Sequence, residues 1–366
     1  MKVMYILDSL NRGGAEMLVL DVCRNARANN LDLTLVAMGG GDLEKEFARS
    51  GVPFFRLNRR RPLDLRLVRA LRSLIQENEI QIIHAHQAVE MLHGYLATRR
   101  NPGVKLIMTF HLCTADAKNR LALQLLTPRV DANIAVSHQL YQCLKNEAGL
   151  DTSHRFHVIH NGVDRRRLKS SGNHVREELR IPADAFVAGM VGNFYADQRK
   201  DQPTICRSLP HLFSNVRNAH FIFIGDDVGG ATEMQKCIAL CRELNVIDRV
   251  HFLRKRCDIP DLLESLDIYV HSSVNESHPL AVIEAMLLGL PIVVSDIGAL
   301  LEVTGSGECA VTFKTGDAAD LAGKLIPLVK DHGRRGELAQ RAKEFAIKNF
   351  TIERHIAQLL ELYASL

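Results

Sequence analysis

Residues His271 to Leu300 read HSSVNESHPLAVIEAMLLGLPIVVSDIGAL. A strand, Ile268–His271, runs into this stretch, a polar loop carries Glu276, a helix starts near Pro279-Leu280, and a second apolar run, Pro291–Ser295, follows. Pro279 suits a first-turn position, because its missing N–H would have no partner there. Strand, loop, helix and strand in this order is the unit from which parallel sheets wrapped by helices are built. Glu284 falls in the early turns of the helix and Glu276 just before it, so both carboxylates can face one ligand. The free N–H groups of a helix start suit an anion such as a diphosphate. A carboxylate accepts paired hydrogen bonds from a diol. A ligand with both a diphosphate and sugar hydroxyls meets both features. Either carboxylate alone would read as a helix cap or a solvated side chain.

The same alternation extends in both directions. Lys2–Leu7, Leu33–Ala37, Gln81–Ala85, Lys105–Phe110 and Ala132–Val136 read as strands, and Arg155–His160 closes the first half. Gly13-Gly14 opens a helix expected from Ala15 to about Asn29, and Asp42–Arg49 and Leu65–Glu77 read as helices. Residues 165–185 start charged and aperiodic and are read as a linker. The pattern then restarts with strands Phe186–Val191, Ala219–Ile224 and Arg249–Leu253, and ends in helices Ala318–Leu328, Gly336–Lys348 and one from Ile352 onward. The expected architecture is α/β: two Rossmann-like domains, residues 1–164 and 186–349, facing each other across a deep cleft. Open sheets of this kind bind ligands at the carboxyl ends of their strands.

Composition sets the bounds. The 366 residues are 46% hydrophobic and 24% charged, which excludes wholesale disorder and fits two domains. The formal charge of +4 is too small to imply nucleic-acid binding. It is uneven: residues 1–164 hold 21 Lys and Arg against 16 Asp and Glu, and the remainder 25 against 26. The basic excess, notably Arg59-Arg60-Arg61, Arg66, Arg69, Arg72, Arg99 and Arg100, reads first as a solvated face. The sharper reading is a surface for an anionic membrane or an anionic acceptor. No apolar run approaches the roughly 18–20 residues that span a bilayer. The apolar stretch before Asp8 is too short for a signal-peptide core, so a cytoplasmic location is expected. Eight cysteines without a Cys-x-x-Cys pair are expected to be free thiols, with no zinc site.

Glu276, seven residues, Glu284-Ala285-Met286, Gly289, Pro291 and Ser295-Asp296 together resemble the signature of family 4 glycosyltransferases of GT-B fold. The resemblance extends over nearly the whole chain. Asn11-Arg12-Gly13-Gly14-Ala15-Glu16 is similar to the family's glycine loop after the first strand, where backbone approaches the donor phosphates. Thr109-Phe110-His111 is similar to its Thr-x-His, whose His sits beside the donor sugar. Ile159-His160-Asn161-Gly162-Val163-Asp164 and Ile224-Gly225-Asp226 match further family segments. One departure stands out. The family usually has Gly-Arg after the second domain's first strand, then a Lys, and both cations hold the diphosphate. Here Asn193 follows Gly192, as in a related subset with Gly-Asn-Phe, and Lys200 best matches the Lys, with Arg199 the candidate for the missing charge.

The resemblance implies a retaining glycosyltransferase that moves a sugar from a UDP- or GDP-sugar to a hydroxyl of a glycan or lipid-linked acceptor, in cell-surface polysaccharide or lipopolysaccharide assembly. It also implies a final helix, about 350–366, that crosses back onto the first domain. Glu276 and His111 would act at the reacting centre; Gly13, Gly14, Asn193, Arg199, Lys200, Ser277, His278, Pro279, Leu280 and Glu284 would bind the donor. No cofactor and no metal are expected, because the adjacent Asp226-Asp227 is not the spaced Asp-x-Asp of metal-dependent transferases. Peripheral contact with an anionic inner-membrane surface is the expected second partner. The alternatives are a non-hydrolytic nucleotide-sugar epimerase on the same fold and a non-enzymatic sugar-nucleotide binding protein.

Overall fold

The computed structural model describes residues 1–113, 117–152, 155–197 and 199–366, with backbone alone for 117–119. It divides into two compact units: Met1–Val163 with Phe350–Leu366, and Asp164–Asn349.

The first unit is a seven-stranded parallel sheet of β1 (Lys2–Leu7), β2 (Asp32–Ala37), β3 (Phe54–Arg56), β4 (Ile82–Ala85), β5 (Lys105–Phe110), β6 (Ala132–Ala135) and β7 (Phe156–Val158), in spatial order β3-β2-β1-β4-β5-β6-β7. Tyr5 pairs with Leu35 on one side and His84 on the other. Helices α1 (Gly14–Asn25), α2 (Glu44–Ala48), α3 (Leu65–Glu77), α4 (Ala88–Thr98), α5 (Ala117–Leu126) and α6 (His138–Asn146) connect the strands. The strands are aliphatic runs because helices on both faces leave no wet side. Asp64 starts α3 by accepting from the backbone N–H of Arg66 and Leu67, and the buried stripe Leu67, Val68, Leu71 and Ile75 lays the helix on the sheet. The α1 helix ends at Asn25, short of the expected Asn29, and a 3-10 turn covers Arg27–Asn29.

The second unit has β8 (Phe186–Val191), β10 (Ala219–Ile224), β12 (Val250–Leu253), β13 (Ile268–His271), β14 (Ile292–Ser295) and β15 (Val311–Phe313) in a parallel sheet of order β12-β10-β8-β13-β14-β15. A two-strand pair, β9 (Phe194–Tyr195) with β11 (Asp227–Val228), sits apart from it. Its helices are α7 (Val175–Glu178), α8 (Gln202–Asn215), α9 (Glu233–Glu243), α10 (Ile259–Glu264), α11 (Leu280–Leu288), α12 (Gly298–Val303), α13 (Ala318–Lys330) and α14 (His332–Asn349). Gly225 has φ +153, and a Cβ there would lie 2.3 Å from the carbonyl oxygen of Gly192. Only glycine lets the chains leaving β8 and β10 run this close.

The last helix, α15 (Ile352–Ala364), belongs to the first unit. Val163 N–H donates to Phe350 O, Ile352 N–H donates back to Val163 O, and Tyr363 reaches Tyr5 by a 2.8 Å hydroxyl–hydroxyl bond. A side chain on Gly162 would collide with Thr351 and His355, so the glycine admits the returning chain.

Two expectations change. Cys113 and Cys143 form a disulfide, because the chain after β5 meets α6; six cysteines remain free and only Cys257 of them is exposed. Residues 165–185, read from the sequence as a linker, carry a 3-10 turn (Arg165–Leu168) and α7 within the second unit. They are pinned there by Asp261, which accepts from the Ser170 and Ser171 hydroxyls and from the N–H groups of Ser171, Gly172 and Asn173 at 2.6–3.2 Å. These bonds, led by the Ser170 hydroxyl, hold the Asp261 carboxyl at about 2. Asp261→Ala should leave the sheet intact and release this segment alone, seen as faster amide exchange at residues 170–173 and new tryptic cleavage at Lys169.

Candidate active site

In each sheet the order reverses beside the first strand, between β1 and β4 and between β8 and β13. Such switch points open a crevice at the strands' carboxyl ends. The candidate residues divide between the two.

In the second unit, the chain after β8 is stitched to the chain after β13. Asp201 N–H donates to Ser272 O at 3.0 Å, Val274 N–H to Arg199 O at 2.9 Å, and the Ser273 hydroxyl also reaches Arg199 O. Lys200 and Ser273 face each other as an antiparallel bridge. This stitching delivers Lys200 Nζ to Glu276 Oε1, both nearly buried. His271 closes the cluster, with Nε2 2.7 Å from the same carboxylate oxygen and Nδ1 3.0 Å from the Tyr269 hydroxyl. Burial pushes the Glu276 carboxyl up, but the Lys200 ammonium and the His271 hydrogen bond outweigh it and hold the pKa at about 2. Burial, then Lys200, pushes His271 below its ordinary value, so it is neutral and donates Nε2–H to Glu276. Burial raises the Tyr269 hydroxyl far above its usual range, with Glu284 and Glu276 adding to it.

Glu284 lies one turn into α11. Arg167 Nη2 donates to its Oε1 at 2.6 Å, with both side chains nearly buried. Pro279 is the N-cap, and Ser277, His278 and Leu280 are buried around the helix start. The first N–H groups of the helix have no intrahelical acceptor. Gly289 ends the helix at φ +79, and α14 packs against it.

Asn193 and Arg199 are placed differently from Lys200. Asn193 Oδ1 accepts from Asp226 N–H at 3.1 Å, so the side chain ties the loops after β8 and β10. The Arg199 guanidinium is forked onto Asp197 and lies 4.8 Å from the centre of the Tyr195 ring. Its backbone carbonyl accepts from Val274 N–H and the Ser273 hydroxyl and so supports the stitching that carries Lys200. Asp226 accepts from Asp227 N–H, and Asp227 accepts from Met234 N–H at the start of α9. Both acids thus serve the backbone.

In the first unit, Gly13 is the N-cap of α1 and Gly14 its first residue. A Cβ on Gly14 would meet nothing within 4 Å. Glu90, fully buried in the first turn of α4, accepts from the N–H of Asp8 at 2.6 Å and of His86 at 2.5 Å, clamping the chains that leave β1 and β4. His111 follows β5, and its Nε2 is 3.0 Å from His86 Nδ1. Burial lowers the His111 pKa to about 4.

The residues that motif reading missed are His271, Arg167, His86 and Glu90. His271 and His86 share one available signal: each is a polar residue at the carboxyl end of a central strand.

Residues 12–167 match the family model described as Glycosyltransferase Family 4, and residues 173–348 match the model described as Glycosyl transferases group 1. The N-acetyl-alpha-D-glucosaminyl L-malate synthase of Bacillus anthracis is 24% identical over 314 residues, covering 82% of this chain and 79% of that protein. The UDP-Gal:alpha-D-GlcNAc-diphosphoundecaprenol alpha-1,3-galactosyltransferase of Escherichia coli is 22% identical over 313 residues, covering 82% and 79%. The crystal structure of Anabaena Alr3699/HepE in complex with UDP-glucose superposes with a TM-score of 0.87 at 23% identity over 100% of both chains, which shows the shared fold.

Lys200→Met would leave the Glu276 carboxylate buried without its cation. Removing one partner of such a pair costs about 3–5 kcal/mol. The folded pKa of Glu276 lies below its unfolded value, so the pair stabilises above the unfolded carboxylate range and is lost as pH falls towards about 2. Urea unfolding should therefore show the full deficit of Lys200→Met at pH 7 and a smaller one in the acid range, where the orphaned carboxyl protonates.

Proposed function

This chain belongs to the family 4 glycosyltransferases of GT-B fold, and we propose that it moves a hexose, with retention, from a UDP- or GDP-sugar to a hydroxyl of a glycan or lipid-linked acceptor in cell-surface polysaccharide assembly. The observation that carries this reading is the Lys200–Glu276–His271 cluster beside the N-terminus of α11. It puts a cation, an anion held ionised and a set of backbone donors at one switch point. In such a transfer positive charge grows on the sugar and negative charge on the departing phosphate. Lys200 and the α11 N–H groups oppose the second; Glu276, kept anionic, offsets the first. Glu284 takes the ribose hydroxyls, with Arg167 fixing one of its oxygens and leaving the other for the ligand. The resemblance assigns His111 and Gly14 to the donor as well, and a Cβ on Gly14 would meet nothing within 4 Å. No side chain in the cluster is a free base, since Glu276 is paired and His271 donates to it. This favours a same-face path in which the leaving phosphate takes the acceptor's proton.

The names of relatives point the same way. One is called a galactosyltransferase acting from UDP-Gal onto a diphosphoundecaprenol-linked sugar. Another is an N-acetylgalactosaminyltransferase of Campylobacter jejuni named for a diphospho-undecaprenol acceptor, 36% identical over 121 residues, 33% of this chain. Within the described residues no helix is long and apolar enough to cross a membrane. An acceptor of that kind has to be met at a membrane surface. The start of α3 offers such a surface: Leu63 and Leu65 are exposed beside exposed Arg60, Arg61, Arg66 and Arg69, whereas Arg59 turns inward to Asp8.

Thermal-shift titration with UDP-, GDP- and ADP-sugars in EDTA should stabilise the protein with one nucleotide class. Glu284→Ala should lose that shift, and Glu276→Gln should keep it but lose roughly a hundred- to a thousandfold in turnover. Silence from every nucleotide with folded protein would sink the donor site. Separately, the protein should co-sediment with vesicles containing phosphatidylglycerol and be released by salt, and Leu65→Glu with Arg66→Glu should stay in the supernatant.

A further inference from the structure

Three imidazoles cluster at the carboxyl ends of β4 and β5. The rings of His84 and His86 are 4.8 Å apart and 11° from parallel; those of His86 and His111 are 5.3 Å apart and 20° from parallel. The inner ring is fully committed: His84 Nδ1 meets the Tyr363 hydroxyl and Nε2 the Thr109 hydroxyl, each at 2.6 Å. His86 is held at its backbone by Glu90, and the chain beyond His111 is tethered through Cys113 to Cys143. The spacing of His86 and His111 is therefore fixed from both sides.

The two rings share one hydrogen bond, His86 Nδ1 to His111 Nε2, at 3.0 Å. Burial lowers the proton affinity of all three rings, His84 to about 3 and His111 to about 4, with the neighbouring imidazoles adding to it. At neutral pH each carries one proton, and the bond has two possible directions. If His111 donated, the proton of His86 would sit on its Nε2, which is buried and has no partner. A buried N–H without an acceptor is rarer and costlier than a bare acceptor. The proton of His86 therefore sits on Nδ1 and is donated to His111 Nε2. That leaves the proton of His111 on Nδ1, which has no partner among the described residues.

We propose that His86 is a positioning residue: it fixes His111 as the Nδ1–H tautomer, so that His111 meets its ligand as a hydrogen-bond donor to an oxygen and not as a proton acceptor. The ligand half of this statement rests on His111 contacting the donor sugar. The tautomer half does not, and the two fail separately.

Long-range proton–nitrogen NMR of the histidine-labelled protein, without ligand, reads the tautomer directly. The expected result is Nδ1–H at His111 in the wild type, kept in His86→Asn, whose amide places a donor where Nδ1 was. It is lost in His86→Gln, whose amide reaches the Nε2 position, and in His86→Phe. His111 protonated at Nε2 in the wild type, or Gln preserving the pattern as well as Asn, overturns the proposal. Should His86→Phe fail to fold, the wild type and the Asn/Gln pair still decide it. With the donor sugar chosen by the titration above, His86→Gln should lower kcat roughly ten- to a hundredfold with KM little changed, and His86→Asn should recover most of it. If the tautomer pattern holds but His111→Ala turns over that donor normally, the positioning role is overturned and the tautomer assignment stands.

Discussion

Where a parallel sheet reverses its strand order, two adjacent strands send their chains to opposite faces, and the backbone groups between them lose the ladder that paired them. The structure depends on how that gap is closed. In the second unit it is closed backbone to backbone: the chain after β8 lies along the chain after β13 through Asp201, Arg199, Ser272 and Val274. In the first unit a single side chain, Glu90, takes the N–H groups leaving β1 and β4. Glu90 and Ser272 are fully buried, and both devices adjoin the polar residues that follow. The side chains at these points are thus presented by closed hydrogen-bond networks, which gives the fixed geometry that charge stabilisation in a transition state requires.

The stitching also explains why a buried ion pair is tolerable. Taking Lys200 and Glu276 out of water costs more than their attraction returns unless the other hydrogen bonds are met. His271 meets one of them, and Tyr269 orients His271 in turn. The result is a carboxylate that stays ionised at any ordinary pH. The second carboxylate, Glu284, is met by a guanidinium instead. Arg167 Nη2 donates to Oε1 of Glu284, and a guanidinium stays charged at any accessible pH. Two acids eight positions apart in the loop and helix therefore have different partners.

The βαβ unit around α11 was legible because its signals are local: Pro279 before the helix, Gly289 after it and apolar strands on either side. The helices α4, α5 and α6 were not. Helix α4 buries Ala88, Glu90, Met91, His93, Gly94 and Ala97, so it shows no single apolar stripe, and β3 and β15 are only three residues long. The candidate site divides along the same line. Glu276, Glu284 and Lys200 stood out by motif. Arg167 did not, because 117 residues separate it from Glu284. The pairing of Arg199 with Asp197, two residues before it, was not legible because spacing alone does not show where a guanidinium turns. The Cys113–Cys143 bond, 30 residues apart, was hidden for the same reason.

Two glycines separate what the fold needs from what it does not. Gly225 is demanded by structure: its φ and the Gly192 carbonyl leave no room for a side chain. Gly14 is not. It opens α1 in a helical position, where glycine costs up to about 1 kcal/mol against alanine, and a Cβ there would touch nothing. Packing gives no return for that cost. The adjacent Gly13 differs, since a Cβ on it would strike the Glu16 carboxylate. A small residue that neither the backbone nor the core requires, at the start of a helix and at the carboxyl end of a central strand, leaves space for something from outside the chain. The helix dipole and the unpaired N–H groups there favour an anion.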